Sequence, residues 1–387
     1  MQTDVLVLNF AVVDFRRNDF DFVSQLVSHG GIYCGKAEEM PAYSQEQYAQ
    51  WAKDGLATAG GVGNSAPLMA KAGLNVAVGA NLGKGDFDGL DAQGHFFYNE
   101  MIRNGIDMSH IYIHPKLATG IAFIHDVPQK DRGGIATFPN AINDFDFERF
   151  KKTVEKLNPK IVYYMYSGLS ERGDANEGRD LASFIRWCTE RGIVTIVDNH
   201  TLTDNPEHLV KIGGAVEKYR LLEPLLPEVD IFFTSSDESK LIGNTLFDRR
   251  NWYDFTKKDY DFFLETLAEK FWKKDKKTRL FGITVKDGAY QKHRLPDGNS
   301  PPPEKITSRF IADGDINLVG AGDSFRSGVV TYVAHHLNDF RNGTINFAEA
   351  VQMGNLFASR YIQNPLQDRF RGFKPFDEML DEIRVTK

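Results

Sequence analysis

Residues Asp4 to Asp14 read DVLVLNFAVVD, a nearly unbroken apolar run closed by an acid, which is the pattern of a strand buried on both faces. It predicts the first strand of a sheet. Apolar residues then recur at helical spacing over Gly63–Gly73, followed by a strand-like run at Asn75–Ala80 and a helix over about 89–104. β-rich stretches come next at Ile111–His114, Gly120–Asp126 and Gly134–Phe138. From there the period alternates: predicted helices at 145–157, 176–191 and 206–222 separate strands at 161–165, 193–198 and 229–234. Strand and helix in turn require crossover connections, hence a parallel sheet with helices on both faces. Residues 243–278 carry a dense polar and aromatic run, read as an exposed insertion with one amphipathic helix. Strands return at 280–285, 289–293 and 306–312, before the stretch Val319–Ser327 and three helices.

Composition narrows the class. With 42% hydrophobic and 26% charged residues, a chain of 387 residues has the makeup of an ordinary globular enzyme with a large core. A formal net charge of -7 argues against nucleic acid as the main partner, since that binding needs dense Lys and Arg contacts to phosphates. Cys34 and Cys188 form neither a CxxC pair nor a disulfide framework, in keeping with a reducing compartment. The opening MQTDVLVLNF lacks the basic segment of a signal peptide, and no apolar run approaches the roughly 20 residues needed to cross a bilayer. A cytoplasmic protein with no membrane partner is expected.

Two glycine-rich segments near the front mimic nucleotide motifs. Gly61-Val62-Gly63-Asn64-Ser65-Ala66 fits the GxGxxA of a dinucleotide turn, which works because a buried strand feeds the turn and aims a helix at a pyrophosphate. Residues 50–58 before it read as polar and helix-like, which disfavours nicotinamide chemistry. Gly79 to Gly85 approaches a P-loop, but its glycine spacing is wrong and no hydroxyl residue follows Lys84. The histidines form no HExxH or HxH. Only His200, in Asp198-Asn199-His200 after a strand, is placed to reach a cleft, and Arg132 reads as a turn residue.

The sharpest signal is Gly320-Ala321-Gly322-Asp323-Ser324-Phe325-Arg326-Ser327-Gly328, which leaves an apolar strand and enters a helical pattern. Glycines at the mouth of a helix let unpaired amides converge where the helix dipole favours negative charge, which makes an anion hole. An Asp in that first turn can meet a hydroxyl while the amides hold the group it attacks. The plainer alternative is that Asp323 merely caps the helix.

With the segments upstream, this loop resembles the C-terminal signature of the ribokinase-like (PfkB) family, and the likeness runs in order over nearly the whole chain. The resemblance implies one kinase domain over 1–387, a three-layer α/β/α sandwich with a mostly parallel central sheet and a small β-sheet lid. Lid segments fall at about 30–50 and 108–140, and the insertion at about 243–278. It implies ATP-dependent transfer of a phosphoryl group to a hydroxyl of a small sugar-like substrate, with Asp323 as base and Gly320, Ala321 and Gly322 completing the anion hole. By the same likeness Gly60, Gly61 and Asn64 contact the substrate. Asp14 matches an acid that binds two hydroxyls, a sound pairing because two lone pairs meet two donors. Ser235 and Glu238 stand at the family's Asn-x-x-Glu motif, with Glu238 organising Mg²⁺ and its waters, and Lys286, Gly288 and Asn355 lie beside the nucleotide. Relatives often dimerise through their lids, so a homodimer is expected.

The chain also departs from the pattern. Ser235 replaces the usual Asn, Asn9 stands where many relatives have Gly, and Asn317-Leu318-Val319 replaces the Asp-Thr-Thr that helps several relatives bind an activating monovalent cation. Two other readings stay open: a nucleoside kinase with aromatic pocket walls, for which 29 Phe residues leave room, and a binding protein that kept the fold and lost catalysis. The kinase reading requires the carboxylates at 14 and 323 to open into one crevice.

Overall fold

The computed structural model describes residues 2–125, 134–247, 257–314 and 316–386. Arg132 and residues 248–256 of the expected insertion lie outside them. An eight-stranded sheet forms the middle layer, ordered β5 (Val76–Gly79), β1 (Val5–Leu8), β10 (Ile161–Ser167), β11 (Val194–Asn199), β12 (Ile231–Ser235), β13 (Arg279–Val285), β14 (Gly288–Arg294) and β15 (Glu304–Thr307). Its neighbours pair in parallel from β5 through β13, and β14 and β15 add an antiparallel edge. Alternation along β1 sends Val5 and Val7 to one face and Leu6 and Leu8 to the other. The first face packs against the helices Val62–Lys71, Ala321–His335 and Phe347–Gln363, the second against Phe147–Leu157, Arg179–Glu190 and Ser236–Leu246. Burial on both faces is why these strands read as continuous apolar runs. The three-layer α/β/α architecture expected from the sequence is the one observed. No helix among the described residues is long and apolar enough to cross a membrane.

The run Asp4–Asp14, expected as one strand, is two. Asn9 adopts φ +77°, a left-handed conformation that Asn tolerates better than most residues, and its amide donates to the Tyr164 hydroxyl at 3.0 Å. The chain leaves β1 at that bend and re-enters as β2 (Ala11–Arg17) in a second sheet. That sheet is ordered β3 (Ile32–Cys34), β9 (Ile135–Phe138), β8 (Gly120–His125), β2 and β4 (Ala57–Gly61). A ribbon of β6 (Asn81–Phe87) and β7 (Tyr112–His114) completes the β structure. Asp14 therefore sits within a strand of the smaller sheet, not at the end of the first strand of the larger one.

The smaller sheet is two-sided. Val12, Asp14, Ala122, Ile135 and Thr137 face a cavity, so their alternating neighbours Phe15, Phe123 and Phe138 face away. That far face is covered by the chain's own Phe20, Tyr48 and Trp51, with Phe15 ring centroids 5.2 Å from Tyr48 and 5.4 Å from Trp51.

Two local expectations are corrected. The segment before Gly61 is not helical throughout: the helix Gln45–Lys53 ends early and Ala57–Gly61 is a strand. A strand does feed the glycine turn, but it pairs antiparallel to β2 in the small sheet, unlike the parallel sheet of a dinucleotide fold. The rejected P-loop mimic, Gly79 to Gly85, runs from the end of β5 into β6, which leaves that rejection standing. The helix Lys257–Phe271, read as part of an exposed insertion, buries Phe263, Leu264 and Leu267 completely in the second-face core.

Candidate active site

A cavity of 690 Å³ lies where the two sheets meet, and Asp14 and Asp323 both line it. Gly320 begins the helix Ala321–His335 in a left-handed conformation, φ +88°, and a Cβ there would stand 2.7 Å from the Tyr361 ring. Only glycine suits that corner. The backbone amides of Gly322 and Asp323 carry no hydrogen bond among the described residues, so two donors stand free at the positive end of a fifteen-residue helix. Ala321, expected to supply a third, does not: its amide donates to Leu318 O at 3.1 Å.

Asp323 is 4% exposed, and its carboxylate is held by side chains. Oδ2 accepts from Asn64 Nδ2 at 2.9 Å and from the Tyr166 hydroxyl at 2.6 Å, and Oδ1 pairs with Arg326 Nη2 at 3.2 Å. All three partners are side chains and none is an amide of its own helix, which speaks against the plainer alternative of a helix cap. A carboxylate has about four acceptor positions. Three are taken, and one is left for a donor arriving in the cavity.

Asn64 is fixed as firmly as the group it holds. Its Oδ1 accepts from the Tyr361 hydroxyl at 3.0 Å and from Arg369 Nη1 at 2.6 Å, while Arg369 Nη2 donates to Ala59 O at 2.6 Å. Asn64, expected as a substrate contact, lines the cavity and also donates to Asp323.

Asp14 owes its position to glycine. A Cβ on Gly60 would lie 2.5 Å from both Asp14 carboxylate oxygens, and Gly61, at φ +55°, has Phe10 O where a Cβ would go. Gly61 lines the cavity; Gly60 does not, and it serves by leaving room for the acid. Burial pushes the Asp14 carboxyl up to about 6, although Arg16 and Arg369 pull it down.

The cavity is also lined by Ser235, Glu238, Lys286, Gly288 and Asn355. Gly288, at φ +139°, turns the chain between β13 and β14, and Asn355 donates to Gln352 Oε1 at 3.2 Å. Ser235 and Glu238 form a reciprocal cap: the Glu238 amide donates to Ser235 Oγ at 3.2 Å and the Ser235 amide to Glu238 Oε2 at 2.8 Å. The S-x-x-E spacing is the sequence signature of such a capping box and was readable in Ser235-Ser236-Asp237-Glu238. Ser235→Ala is expected to cost about 1 kcal/mol of stability, measured by chemical denaturation. Among the described residues no group of three His, Cys, Asp or Glu is placed to hold a metal ion. Glu238 Oε1, with one long contact to Thr201 at 3.5 Å, is the carboxylate oxygen with room for the water shell of a cation.

His200, expected to reach a cleft, does line the cavity, as do Tyr166 and Arg326, and Asp198 lies behind them. The Thr201 amide donates to His200 Nδ1 at 2.8 Å. Arg326 was visible inside the glycine motif, but Tyr166, Tyr361 and Arg369 are far from it in sequence and carried no local signal.

The profile of the pfkB family carbohydrate kinases matches residues 39–248, a span that holds Gly60, Gly61, Asn64 and Glu238 and ends before Asp323. Among curated proteins, none matches the chain in sequence. Its fold resembles that of a probable sugar kinase from Rhizobium etli CFN 42 (TM-score 0.64, 19% identity, 99% of this chain and 98% of that one). It also resembles a fructokinase with bound ATP from Xylella fastidiosa (TM-score 0.65, 16% identity, 99% of each). An adenosine kinase from Anopheles gambiae, in complex with P1,P4-di(adenosine-5) tetraphosphate, is similar in turn (TM-score 0.66, 16% identity, 96% and 98%). With more than half of its length matched, this chain belongs to the pfkB family of carbohydrate kinases, phosphotransferases whose acceptor is an alcohol.

Proposed function

We propose that the protein transfers the γ-phosphoryl group of ATP to a hydroxyl of a small sugar-like acceptor, with Asp323 as general base. The observation that carries this reading is that Asp14, Asp323 and the free amides of Gly322 and Asp323 line one cavity. Asp14 binds two acceptor hydroxyls and sets the acceptor's orientation. Asp323 then accepts the proton of the attacking hydroxyl on its remaining lone pair, while the two amides stabilise the charge spread over the transferred group. Little covalent help is needed, so positioning and electrostatics dominate. The nucleotide lies along Lys286, Gly288 and Asn355. Mg²⁺, when present with the nucleotide, neutralises phosphate charge, and Glu238 would hold it through water, an arrangement typical of this ion. The two thiols, both free, suit the cytoplasm.

One observation favours a second acceptor class. Phe10 and Tyr166, whose ring centroids are 5.0 Å apart, join Ile32, Ile135 and Leu169 as apolar walls around Asp14. Such walls suit an acceptor with a diol at one end and a flat apolar group at the other, as in a nucleoside. A homodimer, if formed, would use a surface other than the far face of the small sheet, which the chain itself covers.

The test is a coupled ADP-release assay with Mg²⁺ and ATP against hexoses, pentoses, sugar acids and nucleosides. Turnover of at least one acceptor, lost in Asp323→Asn, is expected. Silence across the panel would favour the non-catalytic binding protein.

A further inference from the structure

Behind Asp323 lies a second acid that the reaction does not use. Asp198, at the end of β11, is wholly buried, and its Oδ2 stands 2.8 Å from Arg326 Nε and accepts the Tyr163 hydroxyl at 2.7 Å. The other oxygen accepts the Tyr166 backbone amide at 2.6 Å. Tyr166 has φ +59°, rare for a bulky residue, at a break in register between β10 and β11. That backbone conformation, secured by Asp198, accompanies the 2.6 Å hydrogen bond from the Tyr166 hydroxyl to Asp323. Arg326, 6% exposed, bridges the two acids from the other side.

We propose that Asp198 and Arg326 are positioning residues: a buried ion pair that fixes Asp323 directly and through Tyr166, and keeps it basic enough to take the acceptor's proton. The inference rests on Asp323 being the base. The argument is one of charge. A lone guanidinium this near a carboxylate typically weakens it as a base by about 1–3 pH units, which would defeat its purpose here. Asp198 offsets that cation while leaving its hydrogen bond in place, so the base is held without being quenched. Among the described residues, the charged or titratable groups whose charge reaches Asp323 or Arg326 include Asp14 on β2, Tyr163 and Tyr166 on β10, and Glu238 at the helix after β12. Tyr361 and Arg369 act through Asn64. None of these pairs with Arg326 as Asp198 does, although burial raises the Asp198 carboxyl to about 6.

The test compares Asp198→Asn, Arg326→Gln, the double variant and Arg326→Lys. The readout is the acid limb of kcat at saturating acceptor, using whichever of adenosine, D-ribose and D-fructose the parent turns over fastest. With acceptor bound, Asp14 is covered and kcat reports the base. Asp198→Asn, which leaves the cation uncompensated, is expected to move the limb to lower pH by about one unit, and Arg326→Gln to move it to higher pH. The double variant should return near the parent, and Arg326→Lys should restore most of the parent profile. Limbs that stay in place or move in the same direction overturn the inference. Should Asp198→Asn fail to fold, the contrast between Arg326→Gln and Arg326→Lys carries the same sign, and equal limbs in those two overturn it. A parent that turns over none of the three acceptors, nor any of the wider panel, overturns the kinase reading beneath it.

Discussion

Asp323→Asn is expected to lower turnover by at least about 100-fold while leaving nucleotide affinity nearly unchanged. The substitution keeps size and shape, so Asn64 and Tyr166 still have an oxygen to meet, and the helix Ala321–His335 keeps its free amides at Gly322 and Asp323. What is lost is the place for the proton. On the proposed reading the nucleotide is held by Lys286, Gly288 and Asn355, which line the same cavity, and by backbone donors, none of which the change touches. Turnover and nucleotide affinity from one titration series separate the two effects. A variant within a few-fold of the parent would take the role of base away from Asp323.

The second large effect is expected at Asp14, and it has two opposite parts. Asp14→Asn should raise the acceptor KM by about 10- to 100-fold, because hydrogen bonds to a charged group are worth about 1.5–3 kcal/mol. In the parent, kcat/KM should fall as pH drops below about 6, where Asp14 takes up a proton, and the variant should lack that limb. Stability should move the other way. The carboxyl titrates near 6 in the folded protein against an ordinary value of 3.8, so the folded state holds the proton more tightly. Burying the ionised form therefore costs stability above pH 6, on the order of 2–3 kcal/mol, and the cost fades as pH falls from 6 towards 4. Removing the charge should make Asp14→Asn more resistant to denaturant than the parent at pH 8, with the gap closing at pH 4. A variant less stable at both pH values would contradict the account of Asp14 as a charge buried at a cost for acceptor binding.

The layered architecture was legible because parallel strands covered on both faces leave long apolar runs, and helices between them leave the 3.6-residue period. The small sheet was legible in pieces only. Nothing in DVLVLNFAVVD marks Asn9 as the bend that divides it, since the bend depends on an Asn conformation held by Tyr164, 155 residues away. The helix Lys257–Phe271 misled for the opposite reason: its charged face dominates the composition, while Phe263, Leu264 and Leu267 on the other face fill the core.

In the cavity, sequence motifs pointed to residues that share a loop or an anion-binding turn, and Asp14, Asn64, Glu238 and Asp323 do line one space. They did not convey how the acids are held. Tyr166, Asp198 and Arg369 come from three separate segments, and their partners are fixed by tertiary packing. Glu238 illustrates a different difficulty, because the same carboxylate that closes a capping box also faces the cavity, and a motif assigns it one role at a time.

The most direct test is a structure of the protein with an acceptor and a non-hydrolysable ATP analogue bound together. The account predicts the diol on Asp14, the reacting hydroxyl within about 2.6–3.2 Å of an Asp323 oxygen, and the γ-phosphate against the amides of Gly322 and Asp323. A γ-phosphate lodged away from that helix start, or an acceptor whose hydroxyls cannot reach Asp323, would contradict it.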